Sequence, residues 1–156
     1  AGVVLANLNC PGQLVISGEE EKIITACDLA KTKGARRALP LPVAGAYHSP
    51  LMASAQPKLA AELAAAKISV PAVPVISNVT AQPHSNDIAP KLVEQVCASV
   101  LWESSMRHLL AQGYTRFIEL GPGTALSGFM KRIDKTATML NVADAASLET
   151  TVKALA

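Results

Sequence analysis

The chain has 156 residues, enough for one compact domain with its own apolar core. Half of the residues are hydrophobic and 17% are charged, a balance that excludes disorder and favours helices laid on strands. The net charge is only +2, with Arg36-Arg37 and Lys131-Arg132 the sole adjacent basic pairs and no aromatic residues alternating with them, so nucleic-acid binding is not expected.

In chain order, Val3 to Leu8 and Gln13 to Ser17 are expected as short strands joined by the turn Asn9-Cys10-Pro11-Gly12. Glu19-Glu20-Glu21 places negative charge at the start of a helix whose inner face carries Ile23, Cys27 and Ala30 and whose end is marked by Gly34. Ala38 to Val43 is expected as a strand, held to a sheet edge by its two prolines. Ser49-Pro50 has the form of an N-cap followed by proline at the first helical position, opening a helix to about Ala66 with Met52, Ala55, Leu59 and Leu63 on one face.

Val73 to Asn78 is expected as another strand and Gln82 to Asp87 as a surface loop. Two helices follow, Ile88 to about Ala98 and Trp102 to Gln112, the second closed by Gly113. A strand over Arg116 to Leu120 ends in Gly121-Pro122-Gly123 and leads into a helix from Thr124 to Arg132. Thr138 to Val142 and Ala145 to Leu155 complete the pattern as strand and helix, with Leu148, Val152 and Leu155 turned inward. The alternation implies an α/β fold with parallel strands, preceded by a small α+β layer in the first 43 residues.

Few residues carry chemistry. Cys10, Cys27 and Cys97 are odd in number, lack CxxC spacing and are expected as small buried thiols in a reducing cytosol. No apolar run reaches bilayer length and the first residues have no leader-like pattern, so neither a membrane span nor a secretory signal is expected. His48, in Gly45-Ala46-Tyr47-His48-Ser49-Pro50, stands where a strand gives way to a helix, the edge at which catalytic groups of α/β folds collect. It is open to two readings, a base or a connector that bonds a carbonyl. His84 and His108 are expected to be solvated, and Trp102 to anchor its helix in the core. Asn7, Asn9 and Gln13 surround the first turn, where amides satisfy backbone groups. Gly121-Pro122-Gly123 lacks the Lys-Ser/Thr of a phosphate loop and is a tight turn. No Gly-x-Ser-x-Gly elbow occurs anywhere, so a base is present without a visible nucleophile.

The blocks from Ala6 to Gly18, Leu39 to Val43, Gly45 to Met52, Ile76 to Thr80 and Ile118 to Gly123 resemble, in order and spacing, the malonyl-CoA:acyl carrier protein transacylases of bacterial fatty-acid synthesis. The resemblance covers almost the whole chain. It implies a two-step transfer through a serine ester, from coenzyme A to the phosphopantetheine thiol of acyl carrier protein, in the cytoplasm and with malonyl-CoA as substrate and no bound cofactor. His48 matches the histidine that takes and returns the serine proton. Gln95 matches the residue whose main-chain carbonyl orients that ring, in the place of a triad aspartate. Asn7 matches an asparagine of the substrate cleft between two subdomains, and Tyr47 an aromatic found in malonyl-selective relatives.

The resemblance further implies that residues 1–43 are the remainder of a ferredoxin-like small subdomain, incomplete here, and 44–156 the C-terminal part of a hydrolase-like large one with a parallel sheet. The family's serine elbow and its malonyl-binding arginine would lie upstream, and none of Arg36, Arg37, Arg107, Arg116 or Arg132 stands in that arginine's place. On this reading the chain alone is inactive, and the N-terminal part could be a separate chain. The alternative is a non-catalytic truncated relative that binds acyl carrier protein or coenzyme A; a third is a fragment of some other α/β hydrolase. Retention of His48 with its orienting helix favours the catalytic reading.

Overall fold

A computed structural model describes residues 2–156, so the first residue of the 1–43 unit lies outside the described residues. Strands β1 (Val3–Cys10) and β2 (Gln13–Gly18) form an antiparallel hairpin across Pro11-Gly12. Gly12 has φ +73°, the left-handed conformation that a side chain would strain. Two register shifts, between Leu5 and Asn7 and between Leu8 and Cys10, twist β1. Helix α1 (Glu20–Thr32) carries Glu20 and Glu21 in its first turn and packs on the hairpin with Cys27 buried.

The segment expected as a strand over Ala38 to Val43 forms no ladder. Pro40 and Pro42 remove two of its N–H donors, and the Val43 N–H turns back to the Leu41 carbonyl at 2.8 Å. Leu39, Leu41 and Val43 are left exposed. The helix expected from Ser49 is divided. A 3-10 helix, Pro50–Ala55, passes into α2 (Gln56–Ala65), and Pro57 sits in the first turn of α2, where its missing N–H costs nothing.

Val73 to Asn78 contracts to a single bridge between Ile76 and Pro83, tied by bonds from Ser77 N to Gln82 O and from His84 N to Val75 O. Helix α3 (Ile88–Gln95) ends three residues earlier than its apolar pattern suggests, and α4 (Trp102–Ala111) follows. Strands β3 (Arg116–Leu120) and β4 (Thr138–Val142) pair in parallel around α5 (Ala125–Ile133), and α6 (Ala145–Leu155) lies against β4. The architecture is mixed α/β, with Met106, Met130, Cys10 and Ala6 among its buried apolar residues.

Glu119 is the buried charge of this layer. From β3 it caps α5, accepting hydrogen bonds from Leu126 N (3.0 Å), Ser127 N (2.9 Å) and Ser127 Oγ (2.6 Å). Burial pushes its carboxyl up and is the largest single influence, yet the bonds from Ser127 and Leu126 together outweigh it and hold the group below its ordinary value.

α6 corrects the inward placing of Leu148, Val152 and Leu155, which remain 43–55% exposed. The helix is turned instead so that buried Thr151 donates from Oγ1 to the Asn141 carbonyl at 3.0 Å. Parallel sheets are ordinarily covered on both faces. Here Leu120, at 76% exposure, and Ile118 stand open.

Candidate active site around His48

His48 has φ +58°, a left-handed backbone that non-glycine residues rarely adopt. The conformation is held by its neighbour. Ser49 is almost fully buried and acts as N-cap: its Oγ donates to the Ala46 carbonyl at 2.6 Å and accepts from Leu51 N at 3.3 Å. The sharp turn directs the imidazole to the end of α3, where Nδ1 lies 3.1 Å from the Gln95 carbonyl oxygen and 3.1 Å from that of Ala98.

Carbonyl oxygens only accept. In the neutral ring the proton therefore resides on Nδ1, shared between the two, and the Nε2 lone pair is left available. The Gln95 carbonyl is available because a helix leaves its last C=O groups unpaired and carries partial negative charge at that end, and the Ala98 carbonyl joins it from the turn beyond the helix. The turn after α3 uses some of them: Val96 N bonds Val93 O, while Cys97 N and Ala98 N bond Glu94 O. Gln56 from α2 donates to the Val93 carbonyl at 3.0 Å. The Gln95 carbonyl remains for the histidine.

The residues that follow are pinned to the hairpin. Val100 N donates to the Ala6 carbonyl (2.8 Å) and Leu8 N to the Val100 carbonyl (2.9 Å), so Asn7 lies opposite Val100. His48, Gln95 and Asn7 are thus all tied to residues 95–100. Among the described residues no group of three His, Cys, Asp or Glu side chains is placed to hold a metal. Among the same residues no helix is long and apolar enough to cross a membrane. An open apolar groove of about 540 Å³ between α2 and α3 does not include His48 in its lining.

The acyl transferase domain model matches residues 1–153. The chain belongs to the acyl transferase family. It is 46% identical over 155 residues to the malonyl CoA-acyl carrier protein transacylase of Bacillus subtilis, covering 98% of this chain and 49% of that protein. With the Escherichia coli K12 transacylase the identity is 44% over 134 residues, covering 85% and 43%. Among solved structures, the malonyl CoA-acyl carrier protein transacylase from Clostridium perfringens superposes with a TM-score of 0.94 at 41% identity, over 99% of this chain and 49% of that one. A malonyl-transacylase solved in complex with a type II polyketide synthase acyl-carrier protein gives 0.94 at 38% identity, over 97% and 50%. The chain spans about half the length of the curated relatives it matches.

Two participants in the geometry escape sequence reasoning. The Ala98 carbonyl has no side-chain label, and Asn78, at the end of an expected strand and within the Ile76 to Thr80 block, had no role assigned to it. Asn78 Nδ2 donates to Gln95 Oε1 at 3.3 Å, and its carbonyl accepts from Leu101 N at 2.9 Å. The amide at Gln95, in a position that reads as a surface glutamine, is therefore engaged. His84 also differs from a solvated histidine, since its Nδ1 is buried without a partner. The Trp102 Nε1 is likewise buried and unpaired.

Proposed function

We propose that this chain supplies the general base of a malonyl-CoA:acyl carrier protein S-malonyltransferase. The observation that carries the proposal is the imidazole of His48, fixed by two main-chain carbonyls with Nε2 left as a base. A serine from sequence outside these 156 residues attacks the thioester carbonyl of malonyl-CoA while Nε2 takes its proton. The C–S bond breaks, and the departing thiolate of coenzyme A receives that proton. In the second half, the phosphopantetheine thiol of acyl carrier protein gives its proton to Nε2 and attacks the serine ester, and the serine oxygen takes the proton back. The Gln95 and Ala98 carbonyls face the positive charge that develops on the ring, as an aspartate does in a triad.

In this assignment residues 1–43 belong to the ferredoxin-like small subdomain, a reading supported by the packing of α1 on the β1–β2 hairpin. Residues 44–156 belong to the hydrolase-like large subdomain, supported by the parallel β3–β4 pair. Asn7 would line the cleft between them, beside the segment that holds His48. Malonyl-CoA and acyl carrier protein are the reactants, no bound cofactor takes part, and the setting is the cytoplasm. A module that only binds its partners would have no use for a fixed imidazole on a left-handed backbone.

The test is His48→Ala in the full-length protein, expected to slow malonyl transfer on the order of 10²–10⁴-fold. Gln95→Ala should lose less, because alanine keeps the main-chain carbonyl and forfeits only what the side chain adds to its placing. A nearly silent His48→Ala, in protein that remains folded, would remove this histidine from the mechanism.

A further inference from the structure

We propose that Asn78 is a positioning residue for His48, acting through the side chain of Gln95 to set the carbonyl acceptors at the end of α3. This rests on the general-base role of His48 proposed above. Both acceptors of the Nδ1–H lie at or beyond the last residue of α3, where backbone hydrogen bonding becomes irregular and helices fray. A carbonyl displaced there by a few tenths of an ångström would release the ring to the tautomer protonated at Nε2. In that form Nε2 already carries a proton and cannot take one from the serine.

Asn78 is placed to prevent this. It lies in the turn Ser77–Gln82, which is closed by bonds from Ser77 N to Gln82 O (2.9 Å) and from Ala81 N to Ser77 O (2.9 Å). Ser77 is almost fully buried, and its Oγ accepts from Val79 N at 3.2 Å. From that fixed turn the Asn78 amide reaches Gln95 Oε1, while its own carbonyl holds Leu101 N. One residue therefore grips the segment on both sides of Ala98, before it at Gln95 and after it at Leu101. Ala98 and Gln95 are the two residues whose carbonyls hold the histidine. Position alone would make Gln95 a surface amide at a helix end; its half-buried bond to Asn78 gives that side chain a use.

The experiment reads the tautomer, without turnover. Full-length protein with 15N-labelled histidine rings is followed by NMR, with the His48 signals identified by their loss in His48→Ala. With the ring neutral, the parent should show His48 held in the Nδ1–H form. Asn78→Ala and Gln95→Met, which keeps the length of glutamine without its acceptor, should each lose that single form and show exchange with the Nε2–H form. Gln95→Glu keeps an acceptor for the Asn78 amide and should retain it. The double variant Asn78→Ala/Gln95→Met should be no worse than either single change, since both break one bond. His84 and His108 should keep the parent signals throughout, separating positioning from general loosening. An unchanged His48 tautomer in Asn78→Ala and Gln95→Met would overturn the proposal, as would a parent lacking the Nδ1–H form. Failure of malonyl transfer in the parent would count against the proposed activity and leave this readout standing.

Discussion

Replacing Glu119 tests the strongest buried polar arrangement in the chain. Its carboxylate accepts three hydrogen bonds at the start of α5, two of them from Ser127, which is buried, and one from Leu126, whose side of the helix is open to water. Hydrogen bonds to a charged group contribute about 1.5–3 kcal/mol each, and a buried donor left without a partner costs about 1–3 kcal/mol. Glu119→Gln keeps one acceptor oxygen but turns an NH2 toward the remaining donors, so it should lose about 1.5–3 kcal/mol. Glu119→Leu strands both donors of Ser127, and two such penalties give about 2–6 kcal/mol, a large part of a typical domain's stability. Urea unfolding followed by circular dichroism at neutral pH measures both. The pH dependence has a definite sign. Because the folded carboxyl is held below its ordinary value, its contribution is present above the unfolded value and is lost as pH falls through the folded one. Parent and Glu119→Gln should therefore converge in acid. If both variants stay within about 0.5 kcal/mol of the parent at neutral pH, the reasoning fails, because surface substitutions alone produce changes of that size.

Two further outcomes follow from the chain itself. No serine stands in a nucleophile elbow, so radiolabelled malonyl-CoA should leave no covalent label on these 156 residues by themselves; a stable malonyl ester on any of their serines would refute the two-part site. With Leu120 at 76% exposure on an uncovered parallel strand and Leu39, Leu41 and Val43 also open, the isolated chain should bind an apolar dye and self-associate. A monomer in sedimentation with no dye response would contradict this.

What was legible in the sequence depended on how far each signal reached. The hairpin β1–β2 was readable because its turn is written in Asn9-Cys10-Pro11-Gly12, and β3 and β4 because they are short apolar runs between clear breaks. Ala38 to Val43 has the apolar content of a strand, but its prolines cannot donate to a ladder, and the coil that results was the better inference from the same residues. At Pro57 one imino acid divides an unbroken apolar stripe into a 3-10 turn and an α-helix. The inward placing of Leu148, Val152 and Leu155 failed because apolar periodicity identifies a face and not its covering. At the site, His48 stood out by its position before Ser49-Pro50. The bond between Asn78 and Gln95 did not, since the side chains are 17 residues apart and amides carry no distinctive pattern. Carbonyl acceptors such as Ala98 belong to the backbone and are invisible in sequence.

The placing of Val100 against β1 has a consequence for how the protein is made. Ser99 Oγ bonds the Leu5 carbonyl, 94 residues away, and Arg132 closes on the Pro11 carbonyl at 2.6 Å across 121 residues. The first strand can form its hairpin soon after leaving the ribosome, but these partners do not yet exist. At about 5–20 residues per second, the interval before Arg132 has been synthesised is about 6–24 s. The wait for Val100 is shorter, about 5–18 s at the same rate, and until then the Ala6 carbonyl and the Leu8 N–H lack the partners they have in the fold, with exposed Val4, Leu5 and Leu14 alongside. The nascent hairpin is thus a sticky intermediate, and slowing translation between residues 18 and 100 should lower the yield of native protein more than the same delay placed after residue 132.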